Sequence, residues 1–245
     1  MAHAIQWLRS LFFNFQMYLM MLLIGVFFMP LSLIDRKYAY MACNLYCRWV
    51  VWTARWMIGL KSEVRGIVPM DEVIIASKHQ SFFDIILIVS VVPKPKFIMK
   101  ESLKRAPILG WYGKQLGCVP VNRGKRAEAI RHMLAAVSAG DAPRGQLIIY
   151  PQGTRVAPGV VKPYKVGSAA LYEETGQECV PAATNVGVFW PRHSVLRKKG
   201  LAVVEFLPRV KAGIPAREFL PQIQATIEEA SDKLLDEAGF ERTND

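Results

Sequence analysis

His79 and Asp84 stand five positions apart in the stretch IIASKHQSFFDII, residues 74–86, between two apolar runs. An imidazole with one nitrogen held by a carboxylate offers the other as a base near neutral pH, so the pair has the makings of a general-base dyad. On one continuous α-helix, five positions turn the chain by about 500° and put the two side chains on different faces. The chain must therefore break between them. A buried strand over EVIIAS (72–77), a loop at KHQ, and a helix with Ser81 as N-cap and Asp84 at N3 supplies that break and matches a capping box. The loop can then fold His79 back over the first turn, where the helix dipole favours a carboxylate. On spacing alone, a loop histidine beside an unrelated capping aspartate fits the same pattern.

Three further stretches have polar residues suited to chemistry. In VPVNRGKRAEAI a strand ends at Val121 and a helix begins near Lys125, which gathers Arg123, Lys125 and Arg126 at a helix N-terminus suited to an anion, phosphate above all. A solvated basic turn reads the same way. In LIIYPQGTRVAPGVVKPYKVG a buried strand runs into Gln152, Gly153, Thr154 and Arg155. Gly153 permits a tight turn and a close approach of ligand to backbone, and Lys165 returns a second positive charge for a phosphate or a thioester. In ECVPAATNVGVFWPR small residues follow Pro181 and leave room for a chain, or simply pack a core strand.

The elements that must position these residues read as alternating strands and helices. Short apolar or β-branched runs predict strands over 72–77, 96–99, 118–121, 146–151, 179–187 and 201–208. Between or after them, helices are predicted over 81–92, 124–140, 165–176 and 215–239, with Gly140, Gly176 and Gly239 at the C′ stops. This alternation predicts an α/β fold with a mostly parallel sheet flanked by helices and its sites at the carboxyl ends of strands, where His79 and the YPQGTR loop fall.

The first 60 residues differ. Residues 11–30 contain no charge, and that length can span a bilayer core. One arginine before the run and the lack of a small-residue cleavage site favour an anchor over a cleaved leader. Residues 38–60 form an amphipathic segment with Trp49, Trp52 and Trp56 around Arg48 and Arg55, either interfacial or the first helix of a globular core. The chain thus divides into membrane-anchoring helices over 1–60 and an α/β domain over 61–245.

The 245 residues hold 31 Lys and Arg against 20 Asp and Glu, and residues 1–60 account for five and one of these. The remainder keeps an excess of +7, which suits anionic headgroups or phosphorylated substrates. Aromatic residues cluster in the uncharged N-terminal segments instead of interleaving with the basic ones, which argues against nucleic acid. Cys43, Cys47, Cys118 and Cys179 have no C-x-x-C pair and no metal-ligand spacing, and they read as reduced, buried thiols. His132 in an amphipathic helix and His193 in a basic loop read as structural or solvent-facing.

Taken in order, KHQSFFD, VPVNRG, YPQGTR and CVPAA resemble the four blocks of the glycerolipid acyltransferases, and MKESLKRAPILGW resembles the segment between the first two. The likeness covers residues 70–190. It implies transfer of a fatty acyl group from acyl-CoA or acyl carrier protein, as co-substrate, to the 2-hydroxyl of lysophosphatidic acid, with no metal and no cofactor. His79 and Asp84 would then be catalytic. Arg123, Arg155, Lys100 and Lys165 would bind the acceptor phosphate, and Gly153, Thr154 and Gln152 the donor or the oxyanion. An inner (cytoplasmic) membrane protein with its catalytic domain in the cytosol is expected. Two positions depart from the blocks: Lys78 stands where asparagine is usual, and Gln152 where glutamate is. An amide lacks the carboxylate's charge yet still hydrogen-bonds a hydroxyl. Another lyso-lipid acceptor, such as lyso-ornithine lipid, and a non-catalytic lipid-binding role stay open.

Overall fold

The computed structural model describes residues 2–121, 128, 130, 131, 134, 135, 137 and 143–241. Two long helices come first, α1 (Ala2–Ile34) and α2 (Lys37–Met57). Seven strands follow: β1 (Leu60–Arg65), β2 (Ile74–Ser77), β3 (Pro95–Lys100), β4 (Val119–Val121), β5 (Gln146–Ile149), β6 (Cys179–Thr184) and β7 (Gly200–Phe206). They form one sheet in the order β1-β7-β6-β2-β5-β3-β4. Only the β6–β7 pair is antiparallel. The helices α3 (Phe83–Val91), α4 (Pro107–Gln115), α5 (Val166–Thr175) and α6 (Ala216–Glu237) complete the described elements, with short 3-10 turns at Glu101–Arg105 and Val186–Val188.

The central strands are apolar on both faces because helices cover both faces. Ile75, Ile148 and Val180 face a core built with α1, α2 and α3. Their neighbours Ile74, Leu147, Ile149 and Cys179 face the opposite core, built with α5 and α6. This is the period-two alternation of a strand applied to two buried faces. β2 lies between β5 and β6; the chain leaves β2 for β3, beyond β5, and leaves β5 for β6, beyond β2. The loops after β2 and β5 therefore meet at a topological switch point, where open parallel sheets bind ligands.

Most expected elements form. The strand expected over 179–187 stops at Thr184, because the Asn185 side chain takes the backbone N–H of Val203 at 2.8 Å and turns the chain. β1 was not anticipated: LKSEVR is polar and lies at the sheet edge, paired only with β7. The 3-10 turn at Glu101–Arg105 and α4 were not anticipated either. The helix expected over 124–140 lies mostly outside the described residues, and Arg123, His132 and Gly140 lie wholly outside them. Gly176 and Gly239 have φ of 59° and 64°, the left-handed stops expected.

α1 is long and apolar enough to cross a membrane. Nevertheless, its two ends are tied to the same body. Near its start, Gln6 Nε2 donates to Arg197 O at 2.8 Å, Arg9 Nε donates to Met57 O at 2.6 Å, and Phe13 meets Trp190 edge-on at 5.5 Å. Towards its end, Tyr112 donates to Gly25 O at 2.8 Å and Trp111 to Ser32 Oγ at 3.1 Å. α2 buries Ala42, Cys47, Val50 and Ala54 while Met41, Leu45, Trp52 and Trp56 stay exposed, so it has both a core face and an aromatic outer face.

Candidate active site

Asp84 is fully buried, and its carboxylate satisfies three donors. Oδ2 accepts the backbone N–H groups of Gln80 and Ser81, each at 2.8 Å, and Oδ1 faces His79 Nδ1 at 2.9 Å. Ser81 Oγ in turn accepts the Phe83 N–H at 3.2 Å. Half of the expected capping box is made: Asp84 takes the Ser81 N–H, but the Ser81 hydroxyl takes that of Phe83 instead of Asp84, and the regular helix begins only at Phe83. Asp84 Oδ1 makes Nδ1 the protonated nitrogen by assignment, which leaves a lone pair on Nε2 of His79. The His79 ring stacks on Tyr150 at 3.9 Å, which fixes its plane. Burial pushes the Tyr150 phenol well above its ordinary pKa range, and the nearby Asp84 charge adds to this.

The loop after β5 closes over the dyad. Val156 N–H donates to His79 O at 2.7 Å, so the two loops share a backbone bond. Gly153 turns with φ of 68° and donates to Tyr150 O at 2.8 Å. A Cβ at Gly153 would sit 2.8 Å from Lys165 Nζ, so the ammonium lies directly over this turn. A third loop joins from β6, where Gly187 N–H donates to Gln80 Oε1 at 3.0 Å.

Arg155 is half-buried and forms no ion pair among the described residues. Burial, then the charge of Arg192, lowers its pKa against the opposing pull of Asp84. Arg155 thus feels a second guanidinium, that of Arg192, as well as the Asp84 carboxylate. Arg192 was not singled out in the sequence, where it is one of several basic residues in the loop that also holds His193, Arg197, Lys198 and Lys199. Gln152 is buried with Nε2 turned 3.4 Å from Glu228 Oε1, and Thr154 is half-buried beside Gly153. Lys100 is exposed at the end of β3, and no contact among the described residues joins it to the dyad.

An imidazole oriented by a buried carboxylate, at the carboxyl end of a mostly parallel sheet, has the geometry of a general base. Against known proteins, the acyltransferase family model matches residues 61–185, and the chain belongs to that family. It is 25% identical over 191 residues to the 1-acyl-sn-glycerol-3-phosphate acyltransferase of Pseudomonas aeruginosa, covering 77% of this chain and 74% of that protein. A chloroplastic 1-acyl-sn-glycerol-3-phosphate acyltransferase of Brassica napus is 28% identical over 128 residues, which is 49% of this chain and 36% of that protein. In fold the chain is similar to the 1-acyl-sn-glycerophosphate acyltransferase PlsC of Thermotoga maritima, with a TM-score of 0.79 at 20% identity over 96% of this chain and 99% of that one.

Proposed function

We propose that this acyltransferase moves a fatty acyl group from a thioester donor, acyl-CoA or acyl carrier protein, to the 2-hydroxyl of 1-acyl-glycerol-3-phosphate, yielding phosphatidic acid. The observation that carries the reading is the 2.9 Å contact between His79 Nδ1 and a fully buried Asp84. His79 Nε2 takes the hydroxyl proton as the oxygen attacks the thioester carbonyl, and Asp84 holds the imidazolium that forms. The tetrahedral oxyanion collapses, the C–S bond breaks, and the imidazolium returns its proton to the departing thiolate. The Thr154 hydroxyl is assigned as a donor to that oxyanion, while the Gly153 N–H, already given to Tyr150 O, shapes the turn that presents it. Arg155 and Arg192, with Lys165 over Gly153, hold the acceptor phosphate, and Arg123 is assigned to the same charge from its sequence block.

α1 supports a membrane location. From Gln6 to Ser32 the helix runs about 39 Å, more than the roughly 30 Å hydrocarbon core, with the same body bound at both ends. A body outside the bilayer cannot reach both ends of a spanning helix, so α1 lies along the membrane face with Phe12, Phe15, Leu22, Leu23 and Phe27 towards lipid. The face assigned is the cytosolic side of the inner membrane, in keeping with the basic surface and free cysteines.

The test is acyl transfer in detergent micelles with labelled acyl-CoA and lysophosphatidic acid, lyso-ornithine lipid or no acceptor, repeated with acyl carrier protein as donor. Phosphatidic acid is expected from the wild type, and His79→Ala is expected to lower turnover about a hundred- to ten-thousand-fold. Product from the ornithine lipid alone would reassign the acceptor. Equal turnover by His79→Ala would remove the base.

A further inference from the structure

The Lys78 side chain is 3% exposed, and its ammonium pairs with the Glu228 carboxylate, itself 11% exposed. Oε2 of Glu228 takes the ammonium, while Oε1 accepts the Tyr164 hydroxyl at 3.0 Å and Gln152 Nε2 at 3.4 Å. Lys78 directly precedes His79, and Gln152 directly precedes Gly153. One carboxylate on α6 thus reaches the loop of the base and the loop of the oxyanion turn. One helical turn earlier, Gln224 Oε1 accepts the Tyr164 N–H at 3.3 Å. Further along, Asn185 Nδ2 donates to Leu234 O at 3.2 Å, so α6 also holds the loop after β6. α6 lies outside the residues matched by the family model.

We infer that Glu228 is a positioning residue for acyl transfer: from α6 it fixes Lys78 and Gln152, and through them the relative placement of His79 and the Gly153 turn. The inference rests on the acyl-transfer reading above. A buried ion pair recovers little more than the desolvation of its two charges, so its contribution lies in geometry more than in stability. Lys78 and Gln152 are also the two positions at which the chain departs from the blocks it resembles. Both departures meet at Glu228. The negative charge absent from the YPQGTR loop is delivered instead from α6, and the unusual lysine is its counter-ion.

Misplacing a reacting group by about 1 Å costs on the order of a hundredfold in rate. Glu228→Gln is therefore expected to lower kcat about a hundredfold, with both KM values within about twofold of wild type. The double variant Glu228→Gln/Gln152→Glu, which returns a carboxylate to Lys78 from the loop side, is expected to recover at least tenfold of that loss. Amide hydrogen exchange supplies a readout that needs no turnover: Glu228→Gln should speed exchange over 78–81 and 151–156 while the sheet stays protected, and the double variant should reverse this. If wild type itself makes no phosphatidic acid, the acceptor reading fails and exchange alone decides the role of Glu228. Wild-type exchange in both loops, a kinetic defect carried entirely by KM, or exchange that rises across the whole sheet without rescue would each overturn the inference.

Discussion

Asp84→Asn tests the dyad with little change of shape, because it exchanges one charged acceptor oxygen for a neutral NH₂ donor. The carboxylate accepts from three donors: the N–H groups of Gln80 and Ser81 and His79 Nδ1. An asparagine in the same rotamer has one acceptor oxygen and one NH₂ group. Turning the oxygen towards the two backbone donors keeps two bonds, whereas turning it towards His79 sets NH₂ against both N–H groups. At about 1 kcal/mol for each neutral bond, and more for a buried donor left unpaired, the first orientation wins by roughly 2 kcal/mol. NH₂ then faces Nδ1, the proton moves to Nε2, and the base is lost while the ring stays in place. The expected fall in kcat is that of lost general-base help, about 10²–10⁴-fold, equivalent to about 3–5 kcal/mol of transition-state stabilisation. KM for both substrates should change little. Thiol release from acyl-CoA, followed at saturating acceptor beside circular dichroism to check the fold, is the assay. A variant that keeps more than a tenth of wild-type kcat with an intact fold would refute the assignment of Asp84 as the group that sets the His79 tautomer.

Arg155→Ala and Arg192→Ala should each raise acceptor KM about ten- to a hundredfold, the worth of one charge-assisted bond, and leave donor KM nearly unchanged; initial-rate kinetics with each substrate varied separately will show it. The same pattern is expected for Arg123→Ala, and a donor-side effect would reassign the residue. Gly153→Ala meets a positive φ and the Lys165 ammonium, so a loss of about 1–2 kcal/mol in stability is expected with lower kcat/KM, read by thermal melting and turnover. Phe13→Ala removes a fully buried ring from the core that α1 shares with α2 and α3, and should cost about 3–5 kcal/mol by melting in detergent; an unchanged melting temperature would mean that α1 is not part of that core.

What the sequence made legible follows from how local each signal is. The dyad could be read because helix capping fixes Asp84 against residues three to five positions away, and the strand-and-helix alternation told that both loops lie at one end of a parallel sheet. β1 escaped because an edge strand paired on one side needs no continuous apolar run, and LKSEVR has none. Glu228 escaped because it meets Lys78 only through packing: it is 150 positions away, on a helix whose amphipathic pattern explains its apolar residues and assigns it nothing. In sequence, Lys78 and Gln152 looked like two separate departures. The sequence placed Lys78 in a loop and read no pairing between the strands before the two loops, so nothing joined the departures until the fold set β2 beside β5. A buried lysine requires a counter-ion, and the carboxylate that meets Lys78 comes from α6, which no local spacing relates to either loop.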